Sequence, residues 1–432
     1  MAKAKKKENL TPEERLQAAL VPDREQPYKV PANWCWTYLK PISKIQTGKK
    51  DANYGNVDGE YPFFTCAAEP IRCHGYSFDC NAILLAGNGD INNISRYNGK
   101  FEAYQRTYVV EIIEPISIDY VFYWFKYRWF DFNKDKMFGT AIPYIRLGNL
   151  QKFPIPVPPF TQQQRIVDRI ESLFAKLDEA KQKAQDALDS FETRKAAILH
   201  KAFTGELTAR WRKEHGVGMD SWERLKLSEI GTLERGRSKH RPRNDPHLFG
   251  GSYPFIQTGD VASANVYITE HHQTLSEFGM EQSRMFFAGT LCITIAANIG
   301  DVAILSYDCC FPDSIVGFTP NSRSVSKFIY YLMSILQQEL EDNAPATAQK
   351  NINLKILNAI EMNVPTVKEQ TEIVRILDNL LAKEQQAKEA AEAVLEQVDL
   401  IKKSILARAF RGELSTNDPA EESAVELVRN II

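Results

Sequence analysis

Long apolar runs are missing from this chain. Of its 432 residues 44% are hydrophobic, yet no stretch approaches the roughly 18 consecutive apolar residues that a membrane span requires. The basic start MAKAKKKENL is not followed by the apolar core of a signal peptide, so a cytoplasmic location is expected. Cysteine is scarce and odd in number: Cys35, Cys66, Cys73, Cys80, Cys292, Cys309 and Cys310. That count argues against a disulfide framework and for free thiols in a reducing compartment. Charge of one sign is lacking too, with 53 Lys plus Arg against 55 Asp plus Glu. This balance neither favours nor rules out a nucleic-acid partner, because phosphate is bound by a local basic face and not by the chain average.

Signatures of catalysis are also missing. There is no Asn-Pro-Pro-aromatic or Asp-Pro-Pro-aromatic tetrapeptide, and TGKK at 47–50 lacks the glycine five positions before Gly48 that a phosphate loop needs. Cys66, Cys73, His74 and Cys80 are spaced unlike zinc ligands and have no counterpart later in the chain. His271-His272 reads as a surface or turn pair. No catalytic residue, metal or cofactor is therefore expected in this chain.

What is present is a repeat. AFTGELT (202–208) returns as AFRGELS (409–415), and an ungapped offset of 207 aligns residues 139–208 with 346–415, about 25 of those 70 pairs being identical. The same offset pairs the aromatic run DYVFYWFKYRWF (119–130) with SKFIYYLMSILQ (326–337). Further upstream the halves correspond only with insertions. Trp36 and Leu39 are set against Trp222 and Leu225, YPFF at 61 against YPFI at 253, and Gly89-Asp90 against Gly300-Asp301, the offset drifting from 186 to 192 to 211. Each half is thus a variable domain followed by a nearly constant segment.

The constant segments read as long helices. Thr161 with Gln164, and Thr366 with Glu369, have the spacing of capping boxes. Apolar residues then recur at mostly alternating four- and three-residue steps. In the first copy these include Ile166, Ile170, Leu173, Leu177, Phe191 and Ile198; in the second, Ile373, Leu377, Leu380, Val394, Val398, Ile401 and Ile405, with Glu384 interrupting. This is a coiled-coil pattern sustained over about four to five heptads. Gly205 and Gly412 stop the helices, with Lys201 and Arg408 in the last turns. Some 40 residues make a rod of roughly 60 Å, and the two rods can pair either antiparallel or parallel.

The order of these features resembles the specificity subunit of type I restriction-modification systems. The resemblance rests on a tryptophan-led strand, a variable region, GTAIPYIRLGNLQKFPIPVPPFTQQQRIV (139–167), a heptad helix and AFTGEL, all followed by a second copy with VPTVKEQTEIVRIL (364–377) and AFRGEL. It implies an α+β chain in which two α/β target recognition domains are joined by two long helices, paired as an antiparallel coiled coil under an internal pseudo-twofold repeat. The implied segments are an N-terminal segment (1–33), recognition domain 1 (34–158), spacer helix 1 (159–208), a linker (209–221), recognition domain 2 (222–365), spacer helix 2 (366–415) and a C-terminal tail (416–432). The two terminal segments resemble those that close the family's quasi-circular layout. Each domain would read one half of a split, asymmetric double-stranded DNA site. Two methyltransferase subunits using S-adenosylmethionine would bind the rod, and restriction subunits using ATP and Mg2+ would join them.

Candidate DNA contacts follow from residue chemistry, since Arg and Lys neutralise phosphates and Arg forks onto guanine. The densest cationic stretch, ERGRSKHRPRND (234–245), supplies Arg235, Arg237, Lys239, Arg241 and Arg243; a solvated basic loop is the alternative. The first domain offers Lys49, Lys50, Arg96 and Arg106. Gln257, Thr258 and Asn298 are types that read adenine or phosphate, and equally types that shape turns. Arg146 falls in the repeated scaffold, where a structural role is expected, and the aromatic run at 120–132 is expected in the core. The rival from another class is a coiled-coil scaffold whose duplicated domains bind protein.

Overall fold

The computed structural model describes residues 10–296, 299–342 and 352–432. Its chain divides into two compact units. The first is built from Met1–Gln185 and Ala393–Ile432, the second from Asp186–Glu392.

In the first unit the sheet runs Ser43–Thr47, Thr107–Ile112, Phe78–Ala86, Ile94–Ala103, Tyr61–Phe64, Ile71–Cys73 in spatial order. Separately, the tryptophan-led strand Cys35–Tyr38 pairs antiparallel with Pro154–Val157, inside the proline-spaced FPIPVPP. The prolines are tolerated because this is a two-stranded ribbon with an open edge. The aromatic run forms the helix Ile118–Asn133, capped by Ser117 and burying Tyr120, Trp124, Phe125 and Trp129 as expected. Two of its polar tips are satisfied at the proline strand: the Tyr120 hydroxyl donates to the Pro156 carbonyl (2.7 Å) and Trp124 Nε1 to the Pro154 carbonyl (2.8 Å).

The second unit repeats the plan with different sheets. Gly231–Arg235, Ile315–Pro320, Leu291–Thr294, Val302–Leu305 and Tyr267–Ile268 form one, and Gln273–Leu275, Phe249–Phe255, Cys309–Cys310 and Met285–Phe286 another. Glu223–Lys226 pairs with Glu361–Val364 as Cys35–Tyr38 pairs with Pro154–Val157. That register corrects one sequence correspondence. Thr37 faces Ile155 while Leu225 faces Met362, so the counterpart of Trp222 is Trp34, not Trp36. The hydrogen bonds agree: Trp34 Nε1 donates to Gln162 (3.0 Å) and Trp222 Nε1 to Glu369 (3.1 Å), residues 207 apart.

Three helices carry the constant segments: α1 (Phe160–Asp189), α2 (Phe191–Phe203) and α3 (Val367–Ala409). Ser190 interrupts the first segment, which periodicity reads as one helix. Its hydroxyl donates to the Asp186 carbonyl at 2.8 Å, the self-bonding that weakens serine inside helices. Pairing is antiparallel within each unit. In the first, Asp178 meets Lys402 while Arg165 reaches Thr416 and Glu421. In the second, Phe191 meets Lys388 and Arg194 meets Glu384 (2.8 Å), which explains the carboxylate that interrupts the apolar stripe.

Two sequence expectations about these helices need correction. Neither capping box forms as spaced: the Thr161 hydroxyl bonds Glu421 and Gln164 bonds Asp168, while Thr366 does accept from the Glu369 amide but Glu369 turns its carboxylate to Arg212. Tertiary partners outcompete the local cap because they also neutralise charge. The seam is also misassigned at Val394 and Ile401, which are exposed at 38% and 41%. The inward positions of α3 run through Ile373, Leu377, Leu381, Glu384, Lys388, Ala391, Leu395, Val398, Lys402, Leu406 and Ala409, ten steps averaging 3.6 residues. A 3.5-residue count drifts about 20° per heptad from such a straight helix. Ile166, Ile170, Phe191, Ile373, Leu377 and Val398 are buried, whereas Leu173, Leu177, Ile198, Leu380 and Ile405 are half-buried.

The doubled ending has a packing reason. Gly205 and Gly412 have φ of +79° and +75°, and the phenylalanine just before each enters an aromatic core. Phe410 sits against Tyr120, Trp124 and Tyr127 in the first unit (centroids 5.2, 4.9 and 5.9 Å), and Phe203 against Phe328 in the second (5.3 Å). The helix that leaves one recognition region therefore ends in the core beneath the other. The terminal segments meet in the first unit, where the Tyr28 hydroxyl donates to the Phe410 carbonyl (3.1 Å) and Asn33 to the Asp418 carbonyl (2.9 Å).

Candidate nucleic-acid interface

In the first unit three expected cations converge on one turn. The chain after Ser43–Thr47 is pressed against residues 103–107: a Cβ on Gly48 would collide with the Ala103 carbonyl, Lys50 bridges Tyr104, and the Gln105 amide donates to the Lys50 carbonyl (3.0 Å). This brings Lys49, Lys50 and Arg106 to one edge. Lys49 is exposed, the Lys50 ammonium lies 4.3 Å from the Tyr54 ring centroid, and Arg106 lies 5.9 Å from that of Tyr144. Arg146 joins them. Its guanidinium is 3.8 Å from the Phe138 centroid and donates to the Tyr144 hydroxyl (3.3 Å), beside exposed Ile142 and Leu147. The sequence leads us to expect a structural role for Arg146, which aligns within the repeat with Asn353, a change of charge. Arg96 stands apart from this edge, its guanidinium paired with Asp119 and hydrogen-bonded to Asn81 (3.3 Å).

In the second unit the basic stretch is a folded loop with its cations in different states. Arg235 donates to the Asp313 carbonyl and Arg243 to the Asp313 carboxylate (2.8 Å). Arg241 bonds back to the carbonyls of Ser238 and His240 (2.7 and 2.8 Å). Among the described residues, the side chains of Arg237 and Lys239 have no hydrogen-bond or ion-pair partner. Asp245 pins the loop. The backbone amide and then the ring of His247, followed by His240, push its carboxyl down to about 2.

Arg237 and Arg243 line a cleft of about 530 Å³ together with Gln257, Gln273, Phe255 and Leu275. Gln257 Nε2 donates to Gln273 Oε1 at 2.8 Å. Thr258, half-buried, is the first residue of the short helix Thr258–Ser263, and Asn298 lies outside the described residues. A larger groove in the first unit, about 1420 Å³, is lined by Arg15, Lys40, Lys136 and Lys152 among others and shares only Arg146 with the basic edge. Among the described residues no three His, Cys, Asp or Glu side chains are grouped to hold a metal ion, and no helix is long and apolar enough to cross a membrane.

Two buried amides that sequence reasoning missed hold each recognition region to its helix. Gln163 accepts from the Ser117 amide (2.7 Å) and donates to the Pro158 carbonyl (3.0 Å); Gln370 accepts from Val325 (2.9 Å) and donates to Pro365 (2.8 Å). Their identity at the 207-residue offset was the signal.

The arrangement can be set beside known proteins. The family model described as type I restriction modification DNA specificity domain matches twice, over residues 31–188 and 219–397. The chain is 31% identical over 419 residues to the type I restriction enzyme EcoDI specificity subunit of Escherichia coli, covering 91% of each. Its fold is similar to that of the HsdS subunit from Thermoanaerobacter tengcongensis, with a TM-score of 0.67 at 19% identity over 90% of this chain and all of that one. A chain from a structural study of complex assembly and conformational transition of the type I R-M system matches with a TM-score of 0.60, also at 19% identity, over 90% of this chain and 100% of that one. Two matched specificity domains, each closed by the same strand pair and helix ending, together with the full-length relative, place this chain in the family of type I restriction-modification specificity subunits.

Proposed function

We propose that each recognition region, 34–158 and 222–365, reads one half of a split, asymmetric double-stranded DNA target, and that spacer helices 159–208 and 366–415 carry the methyltransferase. In this reading 1–33, 209–221 and 416–432 are connecting and closing segments. The chain itself performs no chemistry. S-adenosylmethionine enters with the methyltransferase, ATP and Mg2+ with a restriction subunit, and the complex works in the cytoplasm.

The observation that carries this reading is repetition of the scaffold with divergence of the exposed polar surface. The strand pair, buried glutamine and terminal phenylalanine recur. By contrast, the first region presents Lys49, Lys50, Arg106 and Arg146 on a turn edge, and the second presents Arg237, Lys239 and Arg243 beside an amide-lined cleft. Two half-sites read by different side chains make an asymmetric target, and joining two modest readings in one molecule raises selectivity.

Genome-wide methylation mapping of the host with and without the gene tests it. Deletion is expected to abolish methylation at one split, asymmetric motif and no other. An unchanged map in a host that expresses the partner methyltransferase would overturn the reading.

A further inference from the structure

We infer that Gln257 and Gln273 act as one amide pair that selects adenine at a single position of the half-site read by the second recognition region; this rests on the reading of that region as a DNA reader. Both glutamines are exposed and line the cleft, which buried Phe255 and Leu275 also line. Both backbones are fixed. The Gln257 amide donates to the Asp260 carboxylate at 2.7 Å, and Gln273 lies opposite Phe255 in an antiparallel register.

The single bond from Gln257 Nε2 to Gln273 Oε1 (2.8 Å) leaves the Gln257 carbonyl and the Gln273 amide nitrogen without another partner among the described residues. If both amides are turned over, one carbonyl and one NH2 group are still left over. The pair therefore offers one acceptor and one donor on two side chains tied together by their mutual bond. Among the base edges of the major groove, adenine alone presents the complementary set, an N7 acceptor beside an N6 amino donor. Guanine presents two acceptors, cytosine an amino donor, and thymine an acceptor and a methyl group. Because the two side chains restrain each other, less rotamer freedom is lost on contact than for two independent glutamines.

The test uses the full chain assembled with its methyltransferase and a duplex library randomised across both half-sites, read by which molecules become methylated. Gln257→Ala and Gln273→Ala are each expected to reduce the preference for adenine by roughly ten- to a hundredfold at the same one position. The double variant should lose little more than either single change, and every other position should be unaltered. Gln257→Glu can only accept, so it takes up the Gln273 amide hydrogen and leaves acceptors alone facing the base, which should move that position toward cytosine. Lys239→Ala, by contrast, should weaken all sequences alike and flatten the salt dependence. A uniform loss in the glutamine variants, or an unaltered adenine preference in folded variants checked by thermal unfolding, overturns the proposal. A wild-type complex that selects no split motif overturns the underlying DNA reading instead.

Discussion

Glu369 is fully buried, and its carboxylate accepts from Thr208 (2.7 Å), Arg212 (2.5 Å) and Trp222 (3.1 Å). Its counterpart in the repeat, Gln162, meets Trp34 without any arginine, because the residue aligned with Arg212 is Pro419. One unit thus buries a neutral amide where the other buries an ion pair. An ion deprived of its partner in such a site is costly, so Arg212→Ala is expected to lower stability by about 3–5 kcal/mol. Removing Arg210 from its exposed pair with Glu214 should cost far less, because solvent screens that pair. Urea unfolding followed by tryptophan fluorescence compares the two, and equal effects would show that burial gives the Arg212–Glu369 pair no special weight. Arg212→Met combined with Glu369→Gln should recover most of the loss, since no charge is then left alone.

Among the elements, the spacer helices are held by mixed chemistry and not by their apolar positions alone. Lys388 lies 5.0 Å from the Phe191 ring centroid, Lys402 5.1 Å from that of Phe174, and Glu384 pairs with Arg194. Long cationic side chains can do this because their stems pack while their heads stay wet. The tail is clasped in a similar way. Arg165 forks onto Glu421 (2.9 and 2.7 Å) and donates to the Thr416 carbonyl (3.2 and 3.1 Å). The Arg165 bond, with help from the Thr161 hydroxyl, holds the Glu421 carboxyl below its ordinary 4.5. A depressed carboxyl stabilises the fold above its ordinary value, and that contribution is lost as pH falls through the lower folded value. The gap in Tm between the wild type and Glu421→Gln should therefore be present at pH 7 and shrink as pH falls below 4.5 and through the lower folded value. A gap that persists undiminished at pH 3 would assign the effect to packing.

For the molecule as a whole, the first unit joins two distant parts of the chain, 1–185 and 393–432, while the second is the continuous stretch 186–392. The crossing follows from an antiparallel pair in which each constant segment ends under the opposite recognition region, with Phe203 and Phe410 as the inserted ends. Because the buried glutamine and the antiparallel strand pair recur in both units, the recognition regions are expected to be exchangeable as blocks. Replacing 34–158 with the corresponding region of a relative should change one half of the methylated motif and leave the other half intact. Methylation mapping of the chimaera checks this, and a change in both halves would contradict it.

Much of this organisation was legible along the chain because it is written in local and repeated terms. The duplicated ending needs only a glycine that can turn left-handed, the aromatic helix only its apolar density, and the long helices only their period; the ungapped 207-residue offset tied them together. What the sequence could not decide were choices made by partners remote in the chain. Trp34, not Trp36, matches Trp222 because strand register depends on pairing with 154–157 and 361–364. Thr161 leaves its cap for Glu421, 260 residues away. Of the five basic side chains in 235–243, Arg235, Arg241 and Arg243 are bonded within the protein, while Arg237 and Lys239 have no partner among the described residues. Sequence by itself determined the repeat, the helices and the family, since these depend on periodicity and order. Only the tertiary structure decided which polar groups are satisfied internally and which face outward, because a hydrogen bond or ion pair is settled by distance in space.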